Sequence, residues 1–222
     1  MAFVNVDKSA ITYNAAISAC EKGQQWQLAL GLLVEMAFLK VHKDVITYNA
    51  AISAFEKGQQ WQLALGLLAE MAFVKVDKTA ITYNAAISAC EKGQQWQLAL
   101  GLLLEMSFVK VEKNVVTYNA AISACEKGQQ WQLALGLLAE MALVRVDKDV
   151  ITYNAAISAC EKGQQWQLAL GLLAEMAFVK VDKAAITYNA AISACEKGQQ
   201  WQLAVGLLAE MALVKVDKTE IT

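Results

Sequence analysis

Two polar side chains recur at a fixed interval along the chain, and both could recognise a ligand. An asparagine occurs every 35 residues, at Asn14, Asn49, Asn84, Asn119, Asn154 and Asn189. A lysine follows each of them, at Lys22, Lys57, Lys92, Lys127, Lys162 and Lys197. A carboxamide both donates and accepts hydrogen bonds, so it can bind the edge of a base, and a lysine can neutralise a phosphate. One amide and one cation per step suit a periodic ligand such as a single-stranded nucleic acid.

The other reactive residue types do not form a catalytic pattern. Glutamates recur at the places of Glu21 and Glu35, and His42 is the single histidine. A hydrolytic carboxylate pair needs a cleft and a perturbed environment, and six identical active sites are implausible, so solvated helix faces explain the glutamates better. Zinc sites need clustered cysteine and histidine, which this sequence lacks. We therefore expect no enzymatic activity, no metal ion and no cofactor.

The elements that must position these side chains belong to one repeated unit. Counted from Ala10, complete copies of 35 residues follow without insertion at 10–44, 45–79, 80–114, 115–149, 150–184 and 185–219. Residues 1–9 match the end of a preceding copy, and residues 220–222 match the beginning of a further one. A fixed period in this range predicts a single solenoid array over residues 1–222. Because Met1 falls where each copy has a methionine, we expect a segment of a longer array.

Each unit is predicted to contain two helices. Apolar residues at helical spacing indicate a first helix over residues 11–22, and Gly23 would provide the left-handed turn that ends it. The second helix, over residues 24–36, is apolar on more than one side, so neighbouring pairs should cover it. Several residues are small enough to let neighbouring backbones approach closely: Ala15, Ala16, Ala19, Ala29 and Gly31. Asp44 is placed to cap the next helix.

The composition is sufficient for a continuous buried core, and we expect no membrane partner. The net charge is −2 and 57% of the residues are hydrophobic. No apolar run approaches the roughly 20 residues of a membrane span, and no cleavable leader is visible. The cysteines occupy one place in the unit, and equivalent atoms in stacked repeats commonly lie beyond the roughly 7 Å that a disulfide needs. Buried, reduced thiols are therefore expected at Cys20, Cys90, Cys125, Cys160 and Cys195.

The unit as a whole resembles the pentatricopeptide repeat family. Its first helix begins "VITYNAAIS", its second contains "ALGLLAEM", and its length is 35 residues rather than the 34 of tetratricopeptide repeats. The resemblance covers essentially the whole chain, although the linker "FVKVDK" lacks the family's glycine and proline. It implies an all-α, right-handed α-solenoid of stacked antiparallel helix pairs. It also implies sequence-specific binding of single-stranded RNA, one base per repeat, in mitochondria or plastids.

The resemblance further implies which side chains contact RNA. The base would be selected by the fifth residue of each unit, which is the recurring asparagine, together with the last residue. The last residues are Asp44, Thr79, Asn114, Asp149, Ala184 and Thr219. The second residues would insert between bases; they are Ile11, Ile46, Ile81, Val116, Ile151 and Ile186. In the family, asparagine with aspartate implies U and asparagine with asparagine leans to C. The expected ligand, 5′ to 3′ along the chain, is about U-Y-C-U-N-Y, where Y is a pyrimidine.

Simpler interpretations of the same residues remain open. Most of the last residues are N-cap types, the aliphatic residues could fill a groove, and the lysines could complement helix dipoles. The array could instead hold an extended peptide, or it could be a consensus-like array without a tuned ligand. Solenoids also need polar caps, and residues 201–211 with Leu213 would leave an apolar face uncovered. We therefore expect end-to-end self-association or fraying at the C-terminal end.

Overall fold

The computed structural model describes residues 9–219, with side chains described for residues 9–213. These residues form helices and connecting turns without a strand. The predicted partial copies lie outside the described residues, apart from Ser9. The helices are α1 (Ala10–Lys22), α2 (Trp26–Phe38), α3 (Val45–Lys57), α4 (Trp61–Phe73), α5 (Ala80–Lys92), α6 (Trp96–Phe108), α7 (Val115–Lys127), α8 (Trp131–Leu143), α9 (Val150–Lys162), α10 (Trp166–Phe178), α11 (Ala185–Lys197) and α12 (Trp201–Thr219).

The helices pack as pairs within two compact units, Met1–Lys113 and Asn114–Thr222. In the first unit α1 packs on α3 and α3 on α5, and each also packs against the helix that follows it. In the second unit α7, α9 and α11 repeat this arrangement. Tyr48 at the start of α3 donates a hydrogen bond to Glu70 near the end of α4, at 2.8 Å, so the pair is antiparallel. The predicted all-α solenoid of stacked helix pairs is confirmed.

The core of each unit is formed by the apolar positions that recur at helical spacing. Tyr48, Ile52 and Met71 are completely or almost completely buried, and so are the equivalent residues of the other copies, apart from Ile192 and Met211 in the last copy, which are partly exposed. The second helix α4 packs against both α3 and α5, as predicted from its broad apolar surface. Phe73, the last residue of α4, and Val74 directly after it are nevertheless exposed. The apolar surface of the second helices is therefore wider than the core requires.

The turn between the two helices of a pair differs from the prediction. Gly23 has a φ of −82°, and Gln24, at 55°, adopts the left-handed conformation instead. The N–H of Gln25 bonds to the carbonyl of Cys20 at 2.8 Å, which closes a Schellman motif with Gln24 at the left-handed position. Because Gln24 and Gln25 lie outside helical backbone geometry, α2 begins at Trp26 rather than at residue 24. Lys40 has a φ of 56° in the equivalent turn after α2.

The glycine of this turn is explained by a tryptophan of the preceding pair. A Cβ atom on Gly58 would lie 2.3 Å from Cδ1 of Trp26, and a Cβ on Gly198 would lie equally close to Trp166. The glycine therefore provides space between repeats rather than backbone freedom. Gly31, in contrast, has open space around it, so the prediction that it allows a close backbone approach is wrong.

The cysteines behave as predicted. They are unpaired, and Cys90, Cys125, Cys160 and Cys195 are buried, with Cys20 partly so. Burial raises the pKa of the Cys90, Cys125 and Cys160 thiols to about 11, which keeps them protonated at neutral pH. Across residues 9–219, none of the helices combines the length and apolarity needed to cross a bilayer.

Candidate nucleic-acid interface

The predicted second and fifth residues of the unit lie on one face of the first helices. In α9, Ile151, Asn154 and Ser158 are three and four residues apart, so they point to the same side. They line a groove of about 370 Å³ together with Ile186 of α11 and Glu126 of α7. The structure thus brings together the second and fifth residues that the sequence analysis selected. We call this surface the first-helix face.

The aliphatic second residues are exposed in all copies. Their exposed fraction ranges from 55% for Val116 to 80% for Ile11. The structure therefore disfavours the simpler interpretation that they fill a groove within the protein. Apolar side chains left in solvent once per repeat form a row that a ligand could cover.

The asparagine is held in a defined orientation in the units that end in aspartate. The hydroxyl of Thr152, in the following pair, donates to Oδ1 of Asn119 at 2.6 Å. Nδ2 of Asn119 then donates to the Asp149 carboxylate at 3.1 Å. The same arrangement joins Asn14 to Thr47 at 2.5 Å and to Asp44 at 3.1 Å. Because the threonine hydroxyl occupies the amide oxygen, the amide NH2 group faces the last residue of the unit.

Asn49 and Asn154 share the threonine contact but not the aspartate. Thr82 donates to Asn49, and Thr187 donates to Asn154, each at 2.6 Å. The last residues of these units are Thr79, whose hydroxyl bonds within its own helix cap, and Ala184, which has no polar side-chain atom. Asn84 also has a partner, and Asn189 is exposed. The backbone of Thr219 lies in α12, and its side chain is outside the described residues.

The last residues also cap the following helices. The side chains of Asp44, Thr79, Asn114 and Asp149 each accept a hydrogen bond from the backbone N–H three residues later. Partial burial works against ionisation of Asp149, but hydrogen bonds from Thr152 and Asn119 outweigh it and lower its pKa. The pKa of Asp44 is lowered by the same balance of burial against bonds from Thr47 and Asn14. Capping and contact with the asparagine are therefore two roles of one side chain.

The lysines lie in ion pairs rather than standing free at the groove. Lys57 contacts Glu21 of the preceding first helix at 2.6 Å. Equivalent pairs join Lys92 to Glu56, Lys162 to Glu126, and Lys197 to Glu161. Lys127 has an interaction as well, whereas Lys22 forms no ion pair in the part of the chain that the structure describes. Serines at the places of Ser88 and Ser158 donate to the same glutamates. The positive charge available to phosphates is thus smaller than the number of lysines suggests.

A second repeated cluster lies at the end of the helix pair where the first helix begins and the second helix ends, and its role is structural. Lys78 contacts Glu105 at 2.7 Å, and the Tyr83 hydroxyl donates to the same carboxylate at 2.8 Å. Burial alone would raise the pKa of Glu105, but the hydrogen bonds from Lys78 and Tyr83 outweigh it, so the pKa is lowered. Burial, together with the neighbouring Glu105 carboxylate, raises the pKa of Tyr83. Every polar group of the cluster has a partner, so the cluster ties the linker to the two helices. No metal-ligating group of three His, Cys, Asp or Glu residues occurs within residues 9–219.

Sequence reasoning missed the threonine that orients the asparagine. Thr47, Thr82, Thr117, Thr152 and Thr187 are completely buried although they are polar. The signal was present, because a threonine recurs at the third place of every unit, three residues after a capping residue. That spacing identifies a capping box, but it does not reveal the contact with an asparagine 33 residues earlier in the chain.

Stacked helix pairs with a groove along their first helices define a helical-repeat protein. The family description "Pentatricopeptide repeat domain" matches residues 31–93, 101–163 and 136–198, and "PPR repeat" matches residues 11–40, 81–108 and 186–213. The chain therefore belongs to the pentatricopeptide repeat (PPR) family. No curated protein matches the sequence.

Several solved structures share the fold. The maize pentatricopeptide repeat protein PPR10 is 24% identical, with a TM-score of 0.68 over 93% of this chain and 30% of its own. Its complex with an 18-nt psaJ RNA element aligns with a TM-score of 0.65 at 24% identity, over 92% of this chain and 28% of that one. The PPR domain of Arabidopsis thaliana protein-only RNase P 1, in complex with tRNA, gives 0.71 at 13% identity, over 82% and 96%. This chain thus spans under a third of the maize protein.

Proposed function

We propose that the chain binds single-stranded RNA along the first-helix face, one base per repeat, with a preference for pyrimidines. The observation that carries this proposal is an exposed aliphatic second residue in each unit, together with the asparagines Asn14, Asn49, Asn119 and Asn154, whose amides a buried threonine orients. Membership of the family supports it, and so do the two related structures that contain RNA. Bases would lie between neighbouring aliphatic side chains and present one edge to the asparagine.

The donor and acceptor geometry accounts for a U preference in the units that end in aspartate. The amide NH2 of Asn119 has a second hydrogen available beside the Asp149 carboxylate, so donor and acceptor lie next to each other. Uracil presents a carbonyl acceptor beside its N3–H donor, which matches this pair. Cytosine presents an unprotonated N3 at the same place, and its lone pair would face the carboxylate. Discrimination of this kind, one hydrogen bond to a charged group, corresponds to about 1.5 kcal/mol or roughly tenfold.

The other units follow from their last residues. Asn49 with Thr79, and Asn189 with Thr219, accept either pyrimidine, whereas Asn84 with Asn114 favours C. Ala184 contributes no polar atom, so the fifth base is unspecified. The resulting site, 5′ to 3′ along the chain, is U-Y-C-U-N-Y.

Electrostatic attraction contributes less to this binding than the lysine count implies. Six phosphate contacts on a single strand would give a slope of about −4 for log K against log salt, at roughly 0.7 per phosphate. Three of these lysines lie in ion pairs, Lys57–Glu21, Lys92–Glu56 and Lys162–Glu126. To contact a phosphate, each lysine must leave its glutamate or bind the glutamate and the phosphate at the same time. We therefore expect a slope clearly shallower than −4.

Fluorescence anisotropy with short RNAs tests the proposal. Oligo-U and oligo-C should bind more tightly than oligo-A, and the signal should weaken with salt. Equal affinity for the three would contradict base recognition. A peptide-binding scaffold would instead show no competition by single-stranded RNA.

The substitution Asp149→Asn gives a sharper test with a matched control. Asparagine is as good an N-cap as aspartate, so the chain should keep the cap of α9 and its fold. The fourth base should change from U towards C, because repeat 115–149 would then carry the same pair of residues as repeat 80–114. The control Leu143→Ala removes an exposed side chain of a second helix and should leave the selectivity unchanged. An Asp149→Asn chain that still prefers U at that base would refute the assignment.

In the cell, an array of this kind would act by occupancy, shielding, remodelling or delivering a transcript in organellar RNA processing or stability. Family membership supports a location in mitochondria or plastids. Imaging of the tagged full-length protein against organelle markers, with crosslinking and sequencing of bound RNA, tests both statements. Recovery of cytosolic transcripts alone would contradict them.

A further inference from the structure

A carboxylate other than the last residue lies beside the asparagine of repeat 150–184. The groove of about 370 Å³ that is lined by Asn154 is also lined by Glu126 of α7 and Ser158 of α9. Ser158 donates to Oε1 of Glu126 at 2.9 Å, and the Lys162 ammonium contacts the same oxygen. The other oxygen, Oε2, has no hydrogen-bond partner among the described residues. The carboxylate therefore keeps an acceptor for a ligand in the groove.

The amide nitrogen of Asn154 is available as well. Thr187 donates to Oδ1 of Asn154 at 2.6 Å, so the oxygen is occupied and the amide is held in place. The equivalent nitrogen of Asn119 bonds to Asp149 at 3.1 Å, but Ala184 has no polar side-chain atom to take this role. Among the described side chains, none accepts from Nδ2 of Asn154. The groove thus presents one donor and one acceptor.

The donor and the acceptor have a fixed order along the first helices. α7 and α9 run parallel, because Asn119 contacts Thr152 near their beginnings and Glu126 contacts Ser158 near their ends. The last residue of a unit directly precedes a first helix, so it lies on the N-terminal side of the threonine that contacts the asparagine. Ser158 follows Asn154 by four residues and lies about one turn to the C-terminal side, together with Glu126. An aspartate at the last place and Glu126 would therefore flank the amide from opposite sides.

We propose that Glu126, held by Ser158, selects cytosine over uracil as the fifth base, an inference that rests on the proposed function. The last residue leaves this base unspecified, and Glu126 supplies the missing contact. A strand of one polarity presents its bases to successive repeats in one orientation. In repeat 115–149 the Asp149 carboxylate comes first and the amide second, which matches N3–H and O4 of uracil. In repeat 150–184 the amide comes first and the Glu126 carboxylate second, which matches N3 and the N4 amino group of cytosine. Uracil would there place N3–H against the amide NH2 and O4 against the carboxylate.

The contact leaves the ion pair of Glu126 intact. Ser158 and Lys162 both use Oε1, so Oε2 can accept from the amino group of the base while these bonds remain. The Glu126 side chain is 15% exposed, and a hydrogen bond shielded from solvent in this way is stronger than one in open water. One hydrogen bond to a charged group corresponds to roughly tenfold discrimination. We therefore expect C to be bound about tenfold more tightly than U at the fifth base.

The substitution Glu126→Gln tests this role with a matched control. Glutamine keeps an oxygen for the Ser158 hydroxyl but turns an NH2 group towards the base, so the preference for C should disappear. Glu161→Gln is the control, because Glu161 has the same two contacts, with Ser193 and Lys197, one repeat further along. Both variants lose one negative charge and release one lysine, so both should bind RNA more tightly overall. Only Glu126→Gln should change the ratio of C to U binding at the fifth base.

Competition anisotropy with RNAs that differ only in the fifth base measures this ratio, and thermal denaturation followed by circular dichroism shows that each variant is folded. Ser158→Ala, which keeps the charge but removes the hydroxyl that positions Oε1, is a second test and should lower the ratio partway. Equal binding of C and U by the unmodified chain, or a ratio that survives Glu126→Gln or falls as far in Glu161→Gln, would overturn the inference. Absence of RNA binding, or of base preference at the first, third and fourth bases as well, would refute the proposed function and this inference with it.

Discussion

Repeats 115–149 and 150–184 carry the same asparagine in different surroundings. Asn119 is bonded at both ends of its amide, to Thr152 through the oxygen and to Asp149 through the nitrogen. Asn154 receives the equivalent bond from Thr187, but Ala184 offers nothing to its nitrogen. The comparison shows that the threonine orients the amide in both repeats, whereas the last residue decides what stands beside it.

The same pair of repeats differs in helix capping. Asp149 accepts a hydrogen bond from the backbone N–H of Thr152 at the start of α9, whereas Ala184 has no side-chain acceptor for the backbone N–H of Thr187 at the start of α11. The last place of a unit therefore carries both the helix cap and the proposed base preference. Substitutions at these two repeats can separate the two effects.

The largest effect should come from removing the orienting hydroxyl with Thr152→Val. Thr152 is completely buried, and its hydroxyl contacts Asn119, the Asp149 carboxylate and the Asp149 N–H. Loss of these bonds leaves buried polar atoms without partners and should cost about 2–3 kcal/mol of unfolding free energy. Thr187→Val should cost less, because no carboxylate is bonded to Thr187. Urea denaturation measures both, and Thr152→Ser, which keeps the hydroxyl, is the control. Equal losses for the two valine variants would contradict the comparison.

The next effect concerns the cap. Asp149→Ala should lower the unfolding free energy by about 1 kcal/mol, because the first turn of α9 loses its side-chain acceptor. Ala184→Asp should raise it by a similar amount, since the backbone at Ala184 is already extended as an N-cap requires. The same denaturation experiment measures both. Ala184→Val supplies a control of altered size without an acceptor, and a gain in that variant as well would show that the effect is not capping.

The sequence was sufficient for the repeat, the helices and the first-helix face. A 35-residue period and apolar residues at helical spacing are local properties, and the spacing of Ile151, Asn154 and Ser158 alone places them on one side of α9. The capping role of Asp44 and Asp149 was also visible, because a capping residue followed three places later by threonine is a local pattern.

The contacts between repeats were not visible in the sequence. The Lys–Glu pairs, the Thr–Asn bonds and the Trp–Gly contacts join residues about one unit apart, and they depend on how far each pair is displaced along its neighbour. Sequence reasoning therefore assigned Gly23 to a left-handed turn, whereas its equivalents serve a tryptophan of the preceding pair. It left the lysines to contact either phosphates or helix dipoles, because no local pattern shows that Glu126 lies next to Lys162.

The smallest effect is a pH dependence of stability that Asp149 contributes in repeat 115–149 and that Ala184 cannot contribute in repeat 150–184. Hydrogen bonds from Thr152 and Asn119 lower the pKa of Asp149 against the effect of its partial burial. A carboxyl whose folded pKa is lowered stabilises the fold above its unfolded pKa, about 3.9, and this contribution disappears as the pH falls through the folded value. The stability of the unmodified chain should therefore fall more steeply below pH 4 than that of Asp149→Asn, which has no proton to take up.

The difference should be smaller than the capping effect, because Asp149 is partly exposed and solvent screens its charge. Glutamates such as Glu175, whose pKa is also lowered, titrate in both chains and cancel in the comparison. Urea denaturation at a series of pH values measures the two curves, and curves that stay parallel down to pH 2.5 would show that the bonds to Asp149 do not favour its ionised form.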